Sequence, residues 1–151
     1  MLHFGLIEDN NLSETDILLD RSKLHIRCGK RRLFENKTQA GIATLYDALD
    51  CALKWYIKTN KQEYLQKKKI NVDGIDIENL FLILQETGDI GETSMVDFFY
   101  YFNDLLNLAL ESETVSFEVG DFLEGYDELL TKLRIMPFDE KELPPENPST
   151  F

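Results

Sequence analysis

Apolar positions along this chain recur every three and four residues, a spacing that predicts helices and no strands. Leu12-Ser13-Glu14-Thr15-Asp16 reads as a helix start, with Ser13 placed to cap and acids suited to the positive end of the dipole. Ile17, Leu18, Leu24 and Cys28 follow at helical spacing. Gly29 and Lys30-Arg31-Arg32 mark the last turns, so a first helix is expected over 14–33. The second helix has the clearest pattern. After Thr38, the positions Ile42, Leu45, Tyr46, Leu49, Ala52, Leu53 and Tyr56 step by three and four without a miss. The small residues Ala40, Gly41, Ala43 and Ala48 would admit a neighbouring helix closely. This helix ends at Thr59-Asn60 or runs on through Tyr64-Leu65; the pattern leaves both open.

Beyond a turn at Asp73-Gly74, Asp76 caps a short third helix with Ile77, Leu80, Phe81 and Leu84 inward, stopped by Gly88. Ser94 with Asp97 is expected to open a fourth, in which Phe98-Phe99-Tyr100-Tyr101-Phe102 distributes aromatics round the whole cylinder. At about 100° per residue, one or two of these must face outward. Phe98, Phe99, Tyr100 and Tyr101 are therefore candidate interface residues. A fifth helix is expected from near Ser116, carrying Val119, Phe122, Leu123, Tyr126, Leu130 and Leu133. Gly120 and Gly125 within it each cost ~1 kcal/mol against Ala, which points to close packing or a bend. After Met136 the period stops, and all 4 prolines lie beyond it. The expected fold is all-α: an up-and-down bundle of about five helices over 1–136, then a proline-rich acidic tail over 137–151, flexible or laid on the surface.

Composition adds two constraints. With 43% hydrophobic residues, 10 Phe and 6 Tyr in 151 residues, the chain has enough apolar mass for one packed domain without disulfides or a structural metal. Cys28 and Cys51 sit in helical segments outside any CxxC pair, and both are expected reduced and buried. The opening residues lack the order of a signal peptide, and no apolar run approaches a bilayer span. The expectation is a soluble, cytoplasmic protein.

The net charge of −12 is unevenly distributed. Residues 1–70 carry 13 Lys and Arg against 9 Asp and Glu; residues 71–151 carry 3 against 19. Either the halves neutralise each other, or the basic segment seeks an anionic partner. Lys23, Arg27, Lys30 and Arg31 share one side of the first helix, a candidate stripe for a phosphate-bearing ligand. No aromatics are interleaved for base stacking, so intramolecular or dimer pairing is the preferred reading over nucleic acid.

Catalytic templates are lacking: there is no phosphate loop, GxGxxG, HExxH or GxSxG. With only His3 and His25, no metal site and no cofactor are expected. The acid pairs Asp47/Asp50, Asp121/Glu124 and Glu124/Glu128 lie at helical spacing and read as solvated faces.

Between Ile17 and Ile57, a helix with a glycine near its end, a short basic connection and the second helix TQAGIATLYDALDCALKWYI together resemble the first helix pair of HEPN-type domains. That resemblance implies a helical bundle, often homodimeric, acting as a nucleotidyltransferase partner or as a metal-independent ribonuclease. The ribonuclease members place an Arg, four to six residues and a His late in the bundle. Here the nearest match is Arg21-Ser-Lys-Leu-His25, one residue short and in the first helix.

These features point to a non-catalytic helical binding or adaptor module, antitoxin-like or a nucleotidyltransferase-partner subunit, working as a homodimer, with a protein partner as the second option. The alternatives are a ribonuclease using Arg21 and His25, and an acidic decoy whose late helices present carboxylates to a basic protein.

Overall fold

The computed structural model describes residues 13–112 and 115–145. These form six α-helices: α1 (Glu14–Phe34), α2 (Thr38–Asn60), α3 (Gln62–Lys68), α4 (Ile77–Glu86), α5 (Thr93–Glu111) and α6 (Val119–Lys132). Two 3-10 turns accompany them, Val72–Gly74 and Glu140–Glu142. No strand occurs among the described residues.

α1 and α2 form an antiparallel hairpin. The Ser13 hydroxyl caps α1 by accepting from the Asp16 amide at 3.2 Å. α1 closes on Asn36, at φ 62°, with the Lys37 amide reaching the Arg32 carbonyl at 2.8 Å. Asparagine tolerates this left-handed position better than most residues, which makes a three-residue connection workable. The hairpin packs closely because of two glycines. A Cβ on Gly29 would lie 2.6 Å from Leu45 Cγ, and one on Gly41 would lie 2.8 Å from Leu33 Cδ2.

α2 is the central element, burying Ile42, Leu45, Leu49, Leu53 and Ile57 completely. α5 runs antiparallel to it: Gln39 Nε2 donates to the Ala109 carbonyl at 2.7 Å, and Tyr46 meets Phe102 edge-on at 5.1 Å. α6 runs antiparallel to α5, with Phe102 contacting Phe122 and Tyr126. α4 is seated by Phe81, whose ring stacks on Phe99 at 4.0 Å.

Two boundaries differ from the sequence expectation, and a third, which the pattern left open, is decided. The helix after Thr38 ends at Asn60, and α3 is a separate sixth helix. Near that end the Thr59 hydroxyl donates to the Trp55 carbonyl and the Asn60 amide to the Tyr56 carbonyl, competing with the main-chain ladder. α5 starts at Thr93 and not at a Ser94 cap, because the chain turns at Glu92, whose carboxylate is held by the Gly91 amide and Lys132. α6 starts at Val119 and not near Ser116. Phe117 turns inward against Phe122 at 5.6 Å, and Glu118 caps the helix by accepting from the Gly120 amide.

The expected tail is described as far as Pro145, and 146–151 lie outside the described residues, as do His3 and the rest of 1–12. Residues 137–145 lie along α1. Lys23 Nζ sits 5.8 Å above the Phe138 ring, and Arg27 Nη2 donates to the Pro144 carbonyl at 2.7 Å.

Candidate binding surfaces

Three polar or aromatic assemblies bear on function. The first lies in the α1–α2 seam. Ser22 donates to the Ala48 carbonyl at 2.9 Å, and Arg32 to the Thr44 hydroxyl at 2.7 Å. Between them Asp47 takes Arg21 Nη2 at 3.4 Å and lies 2.7 Å from His25 Nδ1 on the same oxygen. The two residues of the ribonuclease alternative, Arg21 and His25, are thus brought to one carboxylate. The His25 side chain is only 6% exposed, locked between two helices. Beside it, burial, reinforced by Asp47, pushes the Cys51 thiol up to about 12. Both cysteines are buried, and neither is in a disulfide among the described residues.

The second assembly is the basic stripe. Lys23 and Arg27 are engaged by Phe138 and Pro144, as described. Lys30 pairs with Asp127 of α6 at 2.8 Å, and Arg31 Nη2 reaches Cys28 Sγ at 3.7 Å. Arg27, Lys30, Arg31 and Phe34 of α1 line one wall of a groove of about 460 Å³, faced by Met136, Pro137 and Phe138. The stripe is therefore partly covered by the chain's own second half, and the charge asymmetry is in part settled internally.

The third assembly is the outer side of α5. Of the aromatic candidates, Tyr100 is 41% and Tyr101 43% exposed. Phe98 is half-buried, wedged against Gly125, where a Cβ would lie 2.6 Å from Phe98 Cδ1. Phe99 is not available for an interface: its ring is fully buried, held by the stack on Phe81. Leu108 (56%) and Leu110 (61%) extend the exposed apolar side, and the periodicity had not singled them out. Their signal was present, since neither falls on the inward stripe of Phe98, Phe102, Leu105 and Ala109.

Between α5 and α6 an open groove of about 450 Å³ is lined by Ser94, Asp97, Phe98 and Tyr101 on one side and Asp121, Glu124, Gly125 and Glu128 on the other. The acid pairs of α6 are therefore one wall of a concavity and more than a solvated face. No Lys, Arg or His occurs from Ile70 to Thr131. The nearest later cation, Lys132, pairs with Glu92 at 3.1 Å. Among the described residues no ion pair reaches Asp97, Asp121, Glu124 or Glu128. Burial, aided by the Asp121 carboxylate, raises the Tyr101 phenol above its ordinary value.

Among the described residues no group of three or more His, Cys, Asp or Glu side chains is placed to hold a metal ion, and no helix is long and apolar enough to cross a membrane. Comparisons of the chain with family models, with curated proteins and with solved structures found no match.

Proposed function

We propose that this chain is a non-catalytic helical binding module, a HEPN-like adaptor of the antitoxin-like or nucleotidyltransferase-partner kind, which offers the outer side of α5 to another cytoplasmic protein. The observation that carries this reading is the exposure of Tyr100, Tyr101, Leu108 and Leu110 on a helix whose opposite side is fully packed. Leaving that much apolar surface in water is unfavourable at about 25 cal/mol per Å², and a partner that covers it recovers the difference. The non-catalytic part of the reading rests on His25, whose imidazole is enclosed in the α1–α2 seam and presented to no surface ligand.

The same aromatic exposure favours a homodimer as a second reading. Against it, Asp97, Asp104 and Glu111 alternate with Tyr101 and Leu108 at steps of three and four, so two α5 helices packed together would oppose like charges. Light scattering on gel-filtered protein at tens of micromolar is expected to give the monomer mass of 17.6 kDa. Twice that mass, halved by Tyr101→Glu, would establish the homodimer instead. The module itself is tested by comparing what wild type and a folded Tyr101→Glu/Leu108→Glu variant retain from a lysate of the source cells. At least one protein is expected on the wild type alone. Equal retention by both, or an RNA cleavage activity abolished by His25→Ala, would overturn the reading.

A further inference from the structure

From the α5–α6 groove we infer the chemistry of that partner: a protein segment presenting arginine or lysine beside an apolar side chain, seated with its cation over Tyr101 between Asp97 of α5 and Asp121, Glu124 and Glu128 of α6. The inference rests on the binding-module reading and adds the occupant to it.

Shape comes first. Gly125 has no side chain, so the Phe98 ring closes directly on the α6 backbone and leaves a hollow above itself, flanked by the half-exposed Tyr101. The floor of the groove is thus two aromatic rings and a glycine. An apolar side chain is accommodated there, and the face of Tyr101 is a platform for a guanidinium or ammonium group.

Charge then selects among apolar occupants. The rim carries four carboxylates with no ion-pair partner among the described residues, on a stretch of chain that lacks any basic residue from Ile70 to Thr131. Asp121, Glu124 and Glu128 follow at i, i+3 and i+7, on one face of α6, and Asp97 stands a turn before Tyr101 on α5. Opposed carboxylates over aromatic rings suit arginine especially, because its planar fork pairs with a carboxylate while its face stacks on the ring. The basic stripe of a second copy of this chain is a poor occupant, because its cations Lys23, Arg27, Lys30 and Arg31 are already engaged by that copy's own residues. The copy's exposed Lys67, Lys68 and Lys69 lie side by side with no apolar residue between them. An anionic ligand, nucleic acid included, is repelled.

The test is fluorescence anisotropy of a short fluorescein-labelled synthetic peptide alternating Arg, Leu and Ala, titrated with the full chain at low salt. A twin peptide with Glu for Arg is the control. Saturable binding of the Arg peptide alone is expected, weakened tenfold or more by Asp121→Asn/Glu124→Gln and again by Tyr101→Ala, with circular dichroism unchanged. The pair Glu63→Gln/Glu78→Gln removes the same charge from exposed sites outside the groove and is expected to leave binding intact. Equal weakening by both pairs would reduce the effect to net charge and overturn the inference. So would indifference to Tyr101→Ala, or a lack of saturable binding. If the lysate comparison yields an α5-dependent partner while the Arg peptide fails to bind, the module stands and this occupant falls. If both experiments fail, both readings fall.

Discussion

The phenolic hydroxyl of Tyr126 on α6 donates a 2.8 Å hydrogen bond to the main-chain carbonyl of Leu45 on α2, joining residues 81 positions apart. Tyr126 is fully buried, with Phe102 edge-on at 5.7 Å, and burial raises its phenol well above the ordinary value. The hydroxyl thus stays neutral and able to donate. Tyr126→Phe is expected to cost about 1 kcal/mol, because the Leu45 carbonyl keeps its place in the helix ladder. Tyr126→Ala removes the ring as well and is expected to cost about 3–5 kcal/mol. Urea unfolding followed by far-ultraviolet dichroism measures both, and equal costs would show that the ring contributes nothing.

A second linkage predicts acid behaviour. Asp89 pairs with Lys61, and accepts from the Tyr56 hydroxyl at 2.6 Å and the Thr87 hydroxyl at 2.8 Å. Burial pushes its carboxyl up, but the bonds from Lys61, Tyr56 and Thr87 outweigh it and hold the group below the ordinary carboxylate range. A value lower in the folded than in the unfolded chain gives stability that is complete above about pH 4 and is lost as pH falls through the folded value. Asp89→Asn is therefore expected to lower stability by about 2 kcal/mol at neutral pH. The gap from wild type should narrow as the pH is taken below about 4. A gap that stays constant into acid would contradict the linkage.

Gly125 gives a steric prediction. Alanine there gains about 1 kcal/mol of helix propensity but must displace the Phe98 ring, and a net loss of about 1–3 kcal/mol is expected. Gly74→Ala, with nothing within 4 Å of the added carbon, is the control and is expected to change stability by less than about 0.5 kcal/mol. If the two substitutions prove alike in thermal unfolding, the Phe98 contact is not close.

The cysteines report on opening of the hairpin. Cys28 is fully buried, and the Cys51 thiol is held at about 12, so almost no thiolate forms at pH 8. A small disulfide reagent is expected to label neither thiol in the native protein over minutes and both at once in denaturant. Fast native labelling would mean that α1 separates from α2 readily.

Much of this architecture was legible where one helix carried the whole signal. Ser13 and Asp76 announce α1 and α4 because each caps with its own side chain. The stripe of α2 is visible because it is buried along most of its length. That α3 is a helix of its own, rather than a continuation of α2 through Tyr64-Leu65, is not legible because Gln62–Lys68 has only Tyr64 and Leu65 among polar and charged residues, too few for a period. Ser94 and Ser116 are good caps in isolation, yet Glu118 caps α6 and α5 starts after Glu92 with no side-chain cap, once Lys132 and Phe117 have fixed the chain nearby. The aromatic run showed that something on α5 must face out, but only the Phe81 stack decides that Phe99 does not. The groove was the least legible element. Asp97 and Asp121 face each other across two helices, and nothing in the spacing within either helix announces the other.

The short connection between α1 and α2 also orders events in time. Contacts such as Gly29 with Leu45 close across 16 positions, while Tyr126 reaches Leu45 over 81 and Arg27 reaches Pro144 over 117. Short closures precede long ones. At roughly 5–20 residues per second on the ribosome, about 3–13 s separate the end of α2 from the arrival of Tyr126. In the first part of that interval, before α4 and α5 arrive, the hairpin stands complete but uncovered, with Leu45, Leu49 and Leu53 open to the first apolar surface they meet. A nascent chain halted before α5 thus exposes apolar surface that the finished protein buries.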